Sequence, residues 1–94
     1  MIEIRKIEPV LGMNVVFNNP LIIKEKRDGN YYKAEIEAIG MLVLEHTITE
    51  LRDSITEYLE ADYAVYALAP DDALTEKAQE LKQWVLANTH IEEV

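Results

Sequence analysis

The chain has 94 residues, 49% of them apolar, and no cysteine, which suits one domain with one core and excludes disulfides, thiolate nucleophiles and cysteine-based zinc sites. Its formal net charge of −9 disfavours direct contact with nucleic acid and favours a basic protein partner, or simply keeps a small protein in solution.

That charge is unevenly placed. Residues 1–33 hold six basic and four acidic residues, a net +2, which leaves three basic and fourteen acidic residues, a net −11, to residues 34–94. The opening Met1-Ile2-Glu3-Ile4-Arg5-Lys6 does not read as a secretory leader, and no stretch approaches the roughly 20 apolar residues that span a bilayer. A soluble cytoplasmic protein without membrane contact is the expectation.

Residues 2–7 and 13–17 read as strands split by a turn at Pro9 and Gly12, and Asn18-Asn19-Pro20 reads as the next turn. Asp28-Gly29 supplies the two positive-φ positions of a type I′ hairpin turn. That turn places Ile23 opposite Ala34 and Leu21 opposite Ile36 on one face, with Lys24 against Lys33 and Ile22 against Glu35 on the other. Tyr32, Ala34, Ile36 and Ala38 alternate with Lys33, Glu35 and Glu37, as in a strand with one buried and one wetter face. After a break at Ile39-Gly40, Met41-Leu42-Val43-Leu44 is an unbroken apolar run, expected as a central strand buried on both sides. Three consecutive antiparallel strands over residues 21–45 follow from this reading. Ile22, Met41 and Val43 then need a cover on the face away from the helices, and a homodimer is expected to provide it.

Thr47-Ile48-Thr49-Glu50 is a capping box and starts a helix. Ile48, Leu51, Ile55, Tyr58 and Leu59 form its apolar stripe, and Glu50, Asp53, Glu57 and Glu60 line the opposite side. Asp62 falls in the middle of the apolar stripe, so either the helix ends near Ala61 or Asp62 is paired. Residues 63–68 fit helix by their alanines and strand by Tyr and Val; helix is the expectation. Pro70-Asp71-Asp72 is a turn, a second helix runs over residues 74–87 with Leu74, Ala78, Leu81, Trp84 and Val85 on one side, and residues 88–94 read as a frayed tail.

The chemistry-bearing residues do not converge. His46 and Glu50 stand four apart, but His46 precedes the cap, Glu50 serves the capping box, and one histidine with scattered carboxylates makes no closed coordination shell. His90 lies near Glu92 and Glu93 in the tail. Asp71/Asp72 and Glu92/Glu93 are adjacent acids of the kind that solvate turns and tails. Ser54 is the only serine and sits inside a helix, and Gly12, Gly29 and Gly40 are too isolated to cradle a phosphate. Lys24, Lys26, Arg27 and Lys33 share a hairpin with Tyr31 and Tyr32, a combination that can stack single-stranded nucleic acid, yet Tyr32 is on the core face and the overall charge opposes it. No enzyme, cofactor or metal is expected.

The segment Pro20-Leu21-Ile22-Ile23-Lys24-Glu25-Lys26-Arg27-Asp28-Gly29-Asn30-Tyr31-Tyr32-Lys33-Ala34-Glu35 resembles the opening of HicB-like antitoxin domains. In those, a strand beginning near a proline ends in acidic-Gly-Tyr, and the next strand reads Ala-acidic or Ala-aromatic. The likeness spans residues 20–69, through Gly40 and the capped acidic helix. It implies a small antiparallel sheet packed on helices and a partner in a small basic RNA-cleaving toxin. The family's Pro-Asp-Leu-Pro-Gly-Cys segment is replaced here by Glu37-Ala38-Ile39-Gly40-Met41, and after Leu86 no room remains for a DNA-binding module, so a protein partner rather than operator DNA is implied.

The expected architecture is α+β, a small antiparallel sheet of three to five strands with two helices in one domain over residues 1–94. Residues 1–19 supply N-terminal strands, 20–69 a β-β-β-α core, and 70–94 the last helix and tail. The expected function is non-enzymatic binding of a basic protein through Asp53, Glu57 and Glu60, as in a solitary antitoxin relative. An acidic nucleic-acid mimic of phage or mobile-element type is the alternative.

Overall fold

The computed structural model describes residues 1–92. It is α+β, with two three-stranded antiparallel sheets and two principal helices. In chain order, β1 (Ile2–Val10) and β2 (Met13–Ile23) form a long hairpin. β3 (Lys26–Asp28), β4 (Tyr31–Ile36) and β5 (Met41–Glu45) follow as a meander. Helix α1 (Ile48–Asp62) comes next, then a π-helical turn (Tyr63–Ala67), α2 (Glu76–Asn88) and β6 (Thr89–Glu92). The first sheet is ordered β1-β2-β6 and the second β3-β4-β5.

The type I′ turn lies at Leu11-Gly12, not at Asp28-Gly29. Val10 pairs with Met13, and both loop residues have positive φ, 52° and 81°. In the second hairpin Asp28 pairs with Tyr31, so the loop is Gly29-Asn30. Gly29 alone is at positive φ, 62°, as the first central position of a type II′ turn requires. The register is thereby two residues from the expected one. Because strand side chains repeat every second residue, each keeps its face, and Ala34 and Ile36 are buried as anticipated.

Leu21, Ile22 and Ile23 do not pair with β4. They continue β2 and pair with Ile4, Glu3 and Ile2. The expected turn at Asn18-Asn19-Pro20 is instead a bulge, in which residues 17–20 of β2 oppose Arg5 alone. Proline is tolerated there because a bulge frees it from donating to the ladder. Asn18 uses its bulged position to reach the far end of the chain: its Nδ2 donates to the Ala87 carbonyl at 3.1 Å, and its Oδ1 accepts from His90 Nδ1 at 2.6 Å.

The chain crosses to the second sheet at Lys24-Glu25. There the amino terminus donates to Glu25 Oε1 at 2.6 Å, which holds the Glu25 carboxyl below its ordinary range, with a further contribution from its own backbone N–H.

β5 is an edge strand, not a central one. Val43 is buried against α1, while Leu42 and Leu44 are 56% and 45% exposed on the opposite side. Of the three residues expected to lack a cover, Val43 has one within the chain, Met41 is half-buried and Ile22 is exposed.

Thr47 caps α1, its Oγ1 accepting from the Glu50 N–H at 3.1 Å. Ser54 donates to Glu45 at 2.7 Å and ties the helix to the end of β5. Leu51, Ile55 and Leu59 are buried to 1% exposure or less, where α1 meets β1 of one sheet and β4 and β5 of the other. Ile48 and Tyr58 lie outside the buried stripe. The α-helical stretch ends at Asp62, one residue past Ala61, and continues as the π turn. Residues spaced four apart drift about 40° per step around an α-helix, so Ala67 would rotate away from the core that Leu59 and Tyr63 occupy. The wider π turn takes up that drift, and both Tyr63 and Ala67 stay buried.

The frayed tail is a strand as far as Glu92; Glu93 and Val94 lie outside the described residues. β6 pairs with β2, Thr89 against Phe17 and Ile91 against Val15. Thr89 is buried and donates to the Val85 carbonyl at 2.7 Å, and Trp84 meets Phe17 edge-on at 6.4 Å. One core joins both sheets and both helices. Among the described residues no helix is long and apolar enough to cross a membrane.

Candidate functional site

Two surface features carry chemistry. The first contains the residues singled out from sequence. Asp53, Glu57 and Glu60 follow at spacings of four and three and share one face of α1. Asp53 and Glu57 are exposed and Glu60 is half-buried. They form one wall of an open groove of about 640 Å³ whose other wall is β1 with Glu3, Arg5 and Lys6. Arg52 and Thr56 complete the lining. Four carboxylates and three cations meet here, so the groove is close to neutral although the chain is strongly acidic. Among the described residues no ion pair crosses it; Arg5 turns to Glu3, at 3.2 Å, on its own strand. Sequence reasoning found the stripe and missed its basic wall, because nothing local in residues 5 and 6 indicates which helix they will border.

The second feature surrounds Asp62. The free edge of β5, the end of α1, the π turn and α2 enclose a depression of about 350 Å³ lined by Ile39, Gly40, Met41, Leu42, Tyr58, Asp62, Tyr66 and Leu81. Gly40, at φ 63°, caps a short 3₁₀ turn over Glu37–Ile39 and turns the chain into β5. Beyond the π turn, Gln79 donates to the carbonyls of Asp71 and Leu74, and Lys82 pairs with Asp71 at 2.9 Å, fixing α2 against the connecting loop. Asp62 is half-buried, and burial raises its carboxyl above the ordinary range; among the described residues no hydrogen bond or neighbouring charge offsets it. The sequence contains the signal, an aspartate in an apolar stripe with a tyrosine four residues to either side, but the apolar walls Met41, Leu42 and Leu81 come from elements far apart in the chain. A neighbouring hollow of about 420 Å³ shares Ile39, Gly40, Tyr66 and Leu81 and is rimmed by Glu37, Lys77 and Glu80.

The remaining candidates are engaged in the fold. His46 packs its ring on Tyr31, centroids 4.5 Å apart, and His90 serves the bond to Asn18. Arg27 lies over the Tyr32 ring at 5.2 Å and donates to its hydroxyl at 3.0 Å. Among the described residues no three His, Asp or Glu side chains converge as a metal shell would require.

No protein-family model matches the chain, and no curated protein or solved structure is similar to it at a significant level.

Proposed function

We propose that this protein is a non-enzymatic binding domain for a basic protein, engaged through Asp53, Glu57 and Glu60, in the manner of a solitary HicB-like antitoxin relative. The observation that carries the reading is the carboxylate stripe on one face of α1, with Asp53 and Glu57 exposed and Glu60 half-buried, on a chain whose residues 34–94 hold a net −11. The order β3-β4-β5-α1 has the β-β-β-α sequence of elements that the resemblance implies, while Leu21–Ile23 at the start of the resembling segment belong to β2 of the other sheet. Arg5, Lys6 and Arg52 beside the stripe favour a protein partner of mixed charge over a mimic of nucleic acid, whose surface needs an unbroken run of negative charge.

Affinity capture from the native host, with mass spectrometry of what co-purifies, identifies the partner. Reversal of all three charges to Lys should slow its association by about tenfold at low salt, where steering is strongest, and leave the fold intact. Equal association rates for the two proteins at low and high salt would show that the stripe is not the contact.

A further inference from the structure

We propose that the depression around Asp62 is an arginine-binding site, in which a guanidinium side chain of the basic protein partner sits against Tyr58 and Tyr66 and pairs with the Asp62 carboxylate. The inference rests on the reading above, and names a site that the acidic stripe does not include.

Three observations carry it. Asp62 is a half-buried carboxylate that receives no hydrogen bond and no ion pair from the described residues, so its acceptor capacity is unspent. Leaving a partly desolvated carboxylate unpaired has a cost that an apolar or amide side chain at this helical position would avoid. Its neighbours, secondly, are the components of a cation site. Tyr58 and Tyr66 stand one turn before and one turn after Asp62 and line the same depression, with Met41, Leu42 and Leu81 as apolar walls. Aromatic faces attract a guanidinium, and walls that exclude water strengthen both that attraction and the charge pair. Tyr58 is 55% exposed, which leaves its ring accessible. Thirdly, the site is placed by the π turn, a conformation that recurs at functional sites, and here the widened turn carries Tyr66.

Charge complementarity selects the occupant. Among the described residues the lining of the depression has one carboxylate and no cation, and Lys77 belongs to the rim of the neighbouring hollow, where Glu37 and Glu80 accompany it. A planar guanidinium can stack on tyrosine while presenting two parallel N–H groups to a carboxylate, and an ammonium cannot do both. The chain itself shows the first half of that geometry at Arg27 and Tyr32.

The test uses the whole protein and three small probes, N-acetyl-arginine amide, N-acetyl-lysine amide and N-acetyl-citrulline amide, followed by amide and side-chain NMR shifts. The arginine probe should bind saturably, with the largest shifts at Tyr58, Asp62 and Tyr66, and on the order of tenfold more tightly than the lysine probe. The neutral citrulline probe should leave the site unchanged. Asp62→Asn should abolish saturation while the spectrum stays that of a folded protein, and Tyr58→Ala, at an exposed position, should weaken binding severalfold. Equal response to arginine and lysine, shifts centred on the acidic stripe, or binding retained in Asp62→Asn would each overturn the proposal. A D53K/E57K/E60K variant, run in parallel, should bind the arginine probe with the wild-type pattern of shifts at Tyr58, Asp62 and Tyr66. Failure of the probe at Asp62 with normal stripe-dependent association of a captured partner would therefore discard this site and leave the stripe reading standing.

Discussion

Ile55 is the side chain through which the two sheets depend on each other. It is fully buried on α1, and α1 packs on β1 of the first sheet and on β4 and β5 of the second. Ile55→Ala removes three carbons, about 2.4 kcal/mol of transfer free energy at roughly 0.8 kcal/mol each. The cavity left behind brings the expected loss to about 3 kcal/mol, within the range of about 2–5 for such truncations. At roughly 0.05–0.15 kcal/mol per residue the whole domain is stable by about 5–14 kcal/mol, so this single change removes a fifth or more of it. Urea titration reads the loss, with a denaturant slope of about 1–1.5 kcal/mol per molar and a midpoint lowered by about 2–3 M. Trp84 fluorescence reports α2 against the first sheet, and amide protection in β4 reports the second. Both should shift together, because one core joins the sheets. A loss under about 1 kcal/mol, or a Trp84 transition left in place while β4 loses protection, would refute the view that α1 couples the two sheets into one cooperative unit.

Leu11 is held at φ 52° in the β1–β2 turn with its side chain exposed, so Leu11→Asn should raise stability by about 1 kcal/mol; an unchanged or lower melting temperature would contradict this. Glu25 has a carboxyl whose folded pKa is lowered, so its contribution is present above the ordinary carboxylate range and fades as pH falls through the lowered value. Glu25→Gln should therefore be less stable than wild type at pH 7, with the gap closing on acidification below about pH 4.5, and a gap that widens in acid would reverse the sign of the argument. Leu44, outside the lining of the Asp62 depression, is exposed on the outer side of β5, and a homodimer packed on it is expected at micromolar concentration. Light scattering should give twice the 10.8 kDa chain mass, and Leu44→Lys should restore the monomer; the monomer mass for wild type across that range would rule the dimer out.

What residues 47–59 become is legible locally. Thr47 offers a cap oxygen three residues before the Glu50 N–H, and Leu51, Ile55 and Leu59 recur at the helical period, so the start of α1 and its buried face follow from spacing alone. The alternation through Ala34 and Ile36 likewise sets the inward face of β4, and it survives a one-residue displacement of the turn because that moves the register by two, the strand period. Strand partners were decided elsewhere. Leu21, Ile22 and Ile23 carry the same alternation whether they pair with β4 or with β1, and the choice rested on a bulge at residues 17–20 that lets β2 run on past a proline. Thr89 and Ile91 look like tail residues until Phe17 and Val15 lie beside them. Met41-Leu42-Val43-Leu44 reads as buried on both sides because apolar content does not say how many neighbours a strand will have. Asp62 is visible as an anomaly with Tyr58 and Tyr66 one helical turn to either side, but Met41 and Leu81, from β5 and α2, join it only through packing. Caps and periodicity are properties of adjacent residues and are written in the sequence; pairing, edges and the surroundings of a carboxylate depend on contacts between residues far apart, and these only the tertiary structure decides.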